Sequence, residues 1–328
     1  MTYIYSKVIN GKSYYYLRMD KREKDKKVIK DIAYLGNDLS KINIDKLLDN
    51  SKYKKEIRKS YKVINKYINS NYYLDKAKSE KLHKDKYLTY EQQILLESIR
   101  LHFKDRFLKL DRNTQREIYD NFVVSFTYNT TSIEGNTIPL SDVRKILFDD
   151  KIQLKNKTLR EIYDLRNTKD TFFSIVESKK PINIDFIINT HKQLVKDVDE
   201  RIGFRKHDVR VIKSRFDSAP YFRIEKEIQE LINWYKENKK LNPFILATIF
   251  HHKFEKIHPF ADGNGRTGRL LMNYILIKNN YPPIIITKKN RDKYLEALES
   301  ADKSEEYSKL LQFLLEEYKI GYWENFVV

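Results

Sequence analysis

The 328-residue chain contains no cysteine. That excludes disulfides, cysteine-built metal sites and thiol nucleophiles, and it fits a reducing compartment. No run of about 18 apolar residues occurs, so no membrane-spanning helix is expected. No charged-then-apolar leader opens the chain, and the expectation is a cytoplasmic protein. Internal repeats, recognised nucleic-acid-binding motifs and the zinc-protease spacing H-E-x-x-H are all missing. Glycine is scarce, at 8 residues, so a stretch that spends Gly263 and Gly265 two positions apart stands out.

What is present is core-forming material and positive charge. Hydrophobic residues make up 41% of the chain, enough for a full core, and the length suggests about two domains. The net charge is +18 and it is unevenly spread. Residues 1–86 hold 23 basic against 11 acidic side chains, so +12 of the total falls in that segment. There, Tyr3 to Ile9 and Ser13 to Met19 read as strands joined across Asn10-Gly11, a strong hairpin signal. Val28 to Leu35, closed by Gly36, reads as a third strand. Apolar residues in a helical rhythm follow from Ile42 to Tyr73. We expect a basic N-terminal region of small sheet and helices (1–86), then a second domain (87–328).

From about Leu88 the pattern is almost wholly helical, with candidates at Glu91–Leu110, Thr114–Ser132, Leu140–Leu147, Lys157–Ser178, Asp185–Asp197, Ile224–Asn238 and Lys293–Tyr318. Two further helices flank the most informative run, His258-Pro259-Phe260-Ala261-Asp262-Gly263-Asn264-Gly265-Arg266-Thr267-Gly268-Arg269. Leu241–Ile257 repeats apolar residues at Phe244, Ile245, Ala247, Phe250, Phe254 and Ile257. It should stop at His258, because Pro259 disfavours the α conformation in the residue before it. Thr267–Asn279 is the second, stopped by Tyr281-Pro282-Pro283. The run is therefore a tight loop feeding a helix N-terminus, where unpaired N–H groups and the helix dipole favour an anion.

Each side chain in the run fits phosphate chemistry. Gly263 and Gly265 let the backbone approach the anion. Arg266 and Arg269, three apart, can reach polyanion oxygens on one side. Asp262 makes sense beside phosphates if a divalent cation bridges them. His258 can take a proton from an attacking hydroxyl at neutral pH, and Phe260 should anchor the loop in the core.

The run resembles the Fic family signature H-x-F-x-D/E-G-N-G-R-x-x-R at every fixed position. The resemblance implies a mainly α Fic-type helical bundle with a β-hairpin flap, covering about Tyr90 to Tyr318. It implies His258 as general base, Asp262 on Mg²⁺ or Mn²⁺, Gly263, Asn264 and Gly265 as an anion cradle, and Arg266 and Arg269 on nucleotide phosphates. The implied activity is transfer of AMP from ATP to a Tyr, Thr or Ser hydroxyl of a target protein. Removal of that AMP, or a binding module with an idle Fic core, are the alternatives.

Thr130-Thr131-Ser132-Ile133-Glu134-Gly135 is similar to the family's inhibitory motif S/T-x-x-x-E-G/N, carried on a helix over about 114–136. The similarity implies that Glu134 pairs with Arg269 and withholds it from the γ-phosphate, with Thr130 and Gly135 completing the motif. The segment Gly203 to Arg223, with Val209 and Val211 alternating before the turn residues Asp217 to Pro220, reads as a β-hairpin. In the family that position is the flap, whose exposed strand would dock a target segment. The target is not readable. Self-modification on one of the 24 tyrosines, a homodimer through the apolar C-terminus, and nucleic-acid binding through residues 1–86 remain open. His251, His252 and Glu255 are expected to be structural, since adjacent helical histidines point about 100° apart.

Overall fold

The computed structural model describes residues 1–23, 26–49, 52–82, 85–149, 158–208, 218–304 and 306–326. The chain forms two compact units. One comprises Met1–Lys84, Tyr90–Phe107 and Phe326–Val328; the other comprises Asp85–Thr89 and Leu108–Asn325. This is not a single cut near residue 86, because Tyr90–Phe107 groups with the N-terminal residues.

The first unit begins with an antiparallel sheet of β1 (Thr2–Ile9), β2 (Lys12–Glu23) and β3 (Lys26–Gly36), in that order. Asn10 and Gly11 both adopt positive φ, 48° and 74°, the requirement of a two-residue hairpin turn, and they set Ile9 opposite Lys12. Helices α1 (Ile44–Asp49), α2 (Lys54–Lys59), α3 (Tyr61–Lys78) and α4 (Tyr90–Asp105) follow. Ile4, Tyr15 and Leu17 on one sheet face bury against Ile57, Ile64 and Ile68 of α2 and α3. The helical rhythm expected from Ile42 to Tyr73 is thus three helices. Tyr73 and Ala77 of α3 pack with Ile94 and Leu101 of α4.

The second unit is helical: α5 (Arg112–Ile133), α6 (Leu140–Phe148), α7 (Leu159–Glu177), α8 (Ile184–Leu194), α9 (Ile224–Glu237), α10 (Pro243–Ile257), α11 (Asn264–Lys278), α12 (Arg291–Ser304) and α13 (Ser308–Asn325). Asp111, Thr158, Asn183 and Asn242 accept backbone N–H bonds at the starts of α5, α7, α8 and α10, satisfying donors that a helix start leaves open. α10 and α11 form the centre. α10 packs on α9, α12 and α13, and α11 on α5, α7 and α8. Both are buried nearly all round, which is the signature of a core helix. The motif loop therefore joins the two most enclosed elements.

Two expectations are corrected. α11 starts at Asn264 rather than Thr267, so Gly265 and Arg266 lie inside its first turn. The helix expected over Lys293–Tyr318 is two, because residues 302–306 carry no apolar side chain to hold a continuous helix on the core. Within the expected flap, Val209 and Val211 fall outside the described residues. Its described parts hold no strand, and Tyr221–Arg223 form a 3₁₀ turn running into α9. Among the described residues no helix is long and apolar enough to cross a membrane.

Candidate phosphate-handling site

The loop between α10 and α11 is built by its own polar groups. His258 caps α10 in the left-handed region, φ 51° and ψ 60°, where Pro259 excludes a further helical residue. Phe260 is fully buried and stacks on the His191 ring at 3.7 Å with planes 4° apart. The Asn264 side chain accepts from the Phe260 N–H and donates to the Phe260 carbonyl, both at 2.8 Å. Asn264, expected in the anion cradle, is therefore the staple that closes the loop. Gly263 has φ +76°, and its carbonyl accepts from the Thr267 N–H at 2.9 Å and hydroxyl at 2.8 Å. His191 Nε2 donates to the Asp262 carbonyl at 3.0 Å. Burial lowers the His191 pKa to about 4, so the ring is neutral.

His258 is largely buried, and that burial holds its pKa below the ordinary imidazole value, with the Glu255 carbonyl pulling the other way. A neutral imidazole at pH 7 is the form that accepts a proton. Arg205 fixes the histidine from outside α10. Its Nε donates to the His258 carbonyl at 2.9 Å and its backbone N–H to the Pro259 carbonyl at 2.9 Å. Its remaining nitrogens bond the carbonyls of His207 at 2.9 Å and Ala219. One buried arginine thus ties both ends of the expected flap to the loop.

The two signature arginines meet carboxylates. Arg266 pairs with Asp164 of α7, and Arg266 Nη2 lies 3.7 Å from Asp262 Oδ1. Burial raises the Asp164 pKa and Arg266 opposes it. Arg269 is 2% exposed. It donates from Nε to the Thr130 hydroxyl at 2.7 Å, and from Nη2 to the Thr130 carbonyl at 3.1 Å and Glu134 Oε1 at 2.6 Å. Burial would lower the Arg269 pKa, but the groups around it, Glu134 foremost with Tyr294 and Glu255, together outweigh burial and the guanidinium stays charged. Gly265 permits this contact, for a Cβ there would sit 2.2 Å from Glu134 Oε1. Glu134 caps α5 and Gly135 follows at φ +110°.

Asp262 stands on the rim, its side chain 32% exposed. Oδ1 accepts from the Gly263 N–H at 2.7 Å, and Oδ2 pairs with Arg160 of α7. Among the described residues no three His, Cys, Asp or Glu side chains gather as a metal site. A lone carboxylate fits Mg²⁺ delivered with nucleotide phosphates, which is how that ion is commonly bound, and does not fit a resident ion.

Behind Arg269 lies the cluster expected to be structural. Glu255 is buried, and Gly268 makes room for it, since a Cβ at Gly268 would fall 2.4 Å from Glu255 Oε1. Burial raises the Glu255 pKa to about 8, against the pull of Arg269. His251 Nε2 and the Tyr294 hydroxyl are 2.6 Å apart. Burial drops the pKa values of His251 and His252 to about 3 and about 4, so both are neutral core residues. Arg160, Asp164, His191 and Arg205 were missed by the sequence reading. Each comes from a helix or loop remote in sequence from the partner it meets, and no local pattern marks it.

Residues 181–276, which span α8 to α11, match the Fic/DOC family model. They form a Fic/DOC family domain. Glu134 and Arg160 lie outside the matched residues. The chain is similar to the protein adenylyltransferase fic-1 of Caenorhabditis elegans, 29% identical over 209 residues, 61% of this chain and 41% of that protein. It is 32% identical over 181 residues to the protein adenylyltransferase Fic of Nematostella vectensis, 53% of this chain and 42% of that one. The chain thus spans about two fifths of the length of these relatives. In structure it resembles a Fic domain containing signaling protein from Bacteroides thetaiotaomicron (TM-score 0.63, 21% identity, 69% of this chain and 94% of that one). A Fic family protein from Desulfovibrio desulfuricans gives a TM-score of 0.61 at 25% identity, over 74% and 76% of the two chains.

The raised pKa of Glu255 predicts a pH dependence of the Fic domain's stability. Its ordinary value is 4.5. Between about 4.5 and about 8 the unfolded chain loses a proton that the native protein keeps, so this contribution is complete below 4.5 and fades as pH rises through 8. The melting temperature of wild type minus that of Glu255→Gln should therefore fall from about pH 5 to about pH 8. A pH-independent difference would mean that Glu255 is ionised in the native protein.

Proposed function

We propose that the chain is an autoinhibited protein adenylyltransferase. The observation that carries this reading is the 2.6 Å grip of Glu134 on Arg269 inside an otherwise assembled signature loop. The naming of its relatives as protein adenylyltransferases supports the activity. A Tyr, Thr or Ser hydroxyl of the target attacks the α-phosphorus of ATP. The new O–P bond forms as the bond to the β-phosphate oxygen breaks; the hydroxyl proton passes to His258 and pyrophosphate leaves. Arg266 and the first-turn N–H groups of α11 face the phosphates. Asp262 would hold Mg²⁺ or Mn²⁺, which supplies positive charge to the departing phosphates. Arg269 becomes available to the γ-phosphate only when Glu134 withdraws.

A hydrogen bond between charged groups has a net worth of about 1.5–3 kcal/mol. The Glu134 side chain is 42% exposed, so solvent screening puts this pair at the low end. Release should then raise transfer about tenfold. The test incubates wild type, Glu134→Gly and Glu134→Gly/His258→Ala with Mg²⁺ and ATP labelled at the α-phosphorus, alone and with cell lysate. Covalent label is expected on the single variant, about a tenth as much on wild type, and none on the double variant. Equal label on wild type and Glu134→Gly overturns inhibition. No label in any reaction overturns transfer and favours removal of AMP, to be read as loss of AMP from a modified protein.

A second reading, independent of the first, concerns the N-terminal unit. We propose that α2 and the start of α3 bind nucleic acid. From Lys52 to Lys66 there are seven basic side chains and one acidic, Glu56. Lys55, Arg58, Lys59, Lys62 and Lys66 are exposed, and none has an ion pair among the described residues. The apolar residues of the same helices, Ile57, Ile64 and Ile68, are turned into the core. Basic residues that neutralise phosphates release counterions, so binding to a random-sequence duplex should weaken steeply with salt. Replacing these five residues by alanine should reduce the slope of log affinity against log salt by about 4 to 5. An unchanged slope, or no binding at about 50 mM salt, would sink the idea.

A further inference from the structure

The first turn and a half of α7 reaches three parts of the site. Arg160 pairs with Asp262. Glu161 holds the chain that leaves the inhibitory helix: its Oε1 accepts from the Thr137 N–H at 2.8 Å and hydroxyl at 2.7 Å, and its carbonyl accepts from the Asn136 side chain at 2.9 Å. The other carboxylate oxygen of Glu161 accepts from the Thr158 N–H at 3.3 Å, completing a capping box at the start of α7. Asp164, one turn on, pairs with Arg266.

We propose that this turn of α7 is a latch that joins the cation position at Asp262 to the inhibitory segment at Glu134, so that admission of a divalent cation and release of the glutamate favour one another. The inference rests on the reading of Asp262 as the cation's carboxylate and Glu134 as inhibitor.

Two physical arguments support it. First, both oxygens of Asp262 are committed, Oδ1 to the Gly263 N–H and Oδ2 to Arg160. A cation on Oδ2 and a guanidinium on the same oxygen repel each other at contact distance. Binding of the ion therefore requires Arg160 to leave. Second, Arg160 is an unfavourable residue for its place. It lies in the first turn of a helix, where the dipole is positive and acidic side chains are preferred, and it is 58% exposed. Its compensating contact is Asp262. A side chain that disfavours its own helix and is held by one rim carboxylate is readily displaced. The next residue is the one that holds Asn136 and Thr137. Movement of the turn that frees Asp262 thus also loosens the segment that seats Glu134 on Arg269. Coupling between two sites is reciprocal, so loosening either end should help the other.

The experiment uses the full chain and Mn²⁺ with ADP, which lacks the γ-phosphate and so does not compete with Glu134 for Arg269. Free Mn²⁺ is counted by electron paramagnetic resonance, and amide exchange is followed at residues 134–138. Arg160→Ala should bind Mn²⁺ with ADP up to about fivefold more tightly, the range set by an exposed ion pair. Arg160→Lys keeps the charge and should stay near wild type. Arg160→Ala should also speed exchange at 134–138. Thr137→Ala, which removes one bond to Glu161 and leaves α7 intact, should do both to a smaller degree.

Unchanged Mn²⁺ affinity in Arg160→Ala overturns the displacement of Arg160 by the ion. Tighter Mn²⁺ with unchanged exchange at 134–138 overturns the coupling. Neither readout requires AMP transfer. Failure of Glu134→Gly to become labelled would overturn the proposed activity and leave these binding and exchange results standing.

Discussion

The site is organised around one constraint, the burial of the Arg269 guanidinium. A cation that is 2% exposed must have a countercharge and filled donors, or it costs several kcal/mol. Thr130 and Glu134 meet that demand from α5, and their geometry dictates the neighbours. Gly265 has to lack a Cβ so that the carboxylate can approach, and Gly268 has to lack one so that Glu255 fits behind. Glu255 in turn stays protonated near neutral pH, because Arg269 already has an ionised partner and burial disfavours a second. The glycine spacing of the signature is thus as much a consequence of packing carboxylates around one arginine as of cradling a phosphate.

Much of this was legible in the sequence, for identifiable reasons. The loop, its flanking helices and the hairpin at Asn10-Gly11 are written in local chemistry: a proline after His258, glycines at positive φ, apolar spacing on α10. The pairing of Glu134 with Arg269 was legible only through family resemblance, since nothing local links residues 135 positions apart in the chain. The α7 residues were not legible at all. Arg160, Glu161 and Asp164 look like ordinary solvated helix charges, and their roles depend on α7 lying against α11, which periodicity does not specify. The start of α11 was placed three residues late, and the bonds from the Asn264 side chain to the Phe260 backbone were not foreseen.

The charge pattern explains why such a site can rest without a ligand. Arg160, Arg266 and Arg269 each face a carboxylate, Asp262, Asp164 and Glu134 respectively. The surface that carries these arginines is self-neutralised, so an incoming anion would have to exchange partners rather than meet bare cations. These exchanges are not equivalent. Asp164 is mostly buried with Arg266, and removing either would leave an isolated charge, so that pair should persist. Glu134 and Arg160 are 42% and 58% exposed; released, each becomes solvated at little cost. The two contacts that can yield are therefore Glu134–Arg269 and Arg160–Asp262, while the Arg266–Asp164 pair holds α11 to α7. A site arranged in this way keeps its shape in both states and changes only which anion answers each arginine.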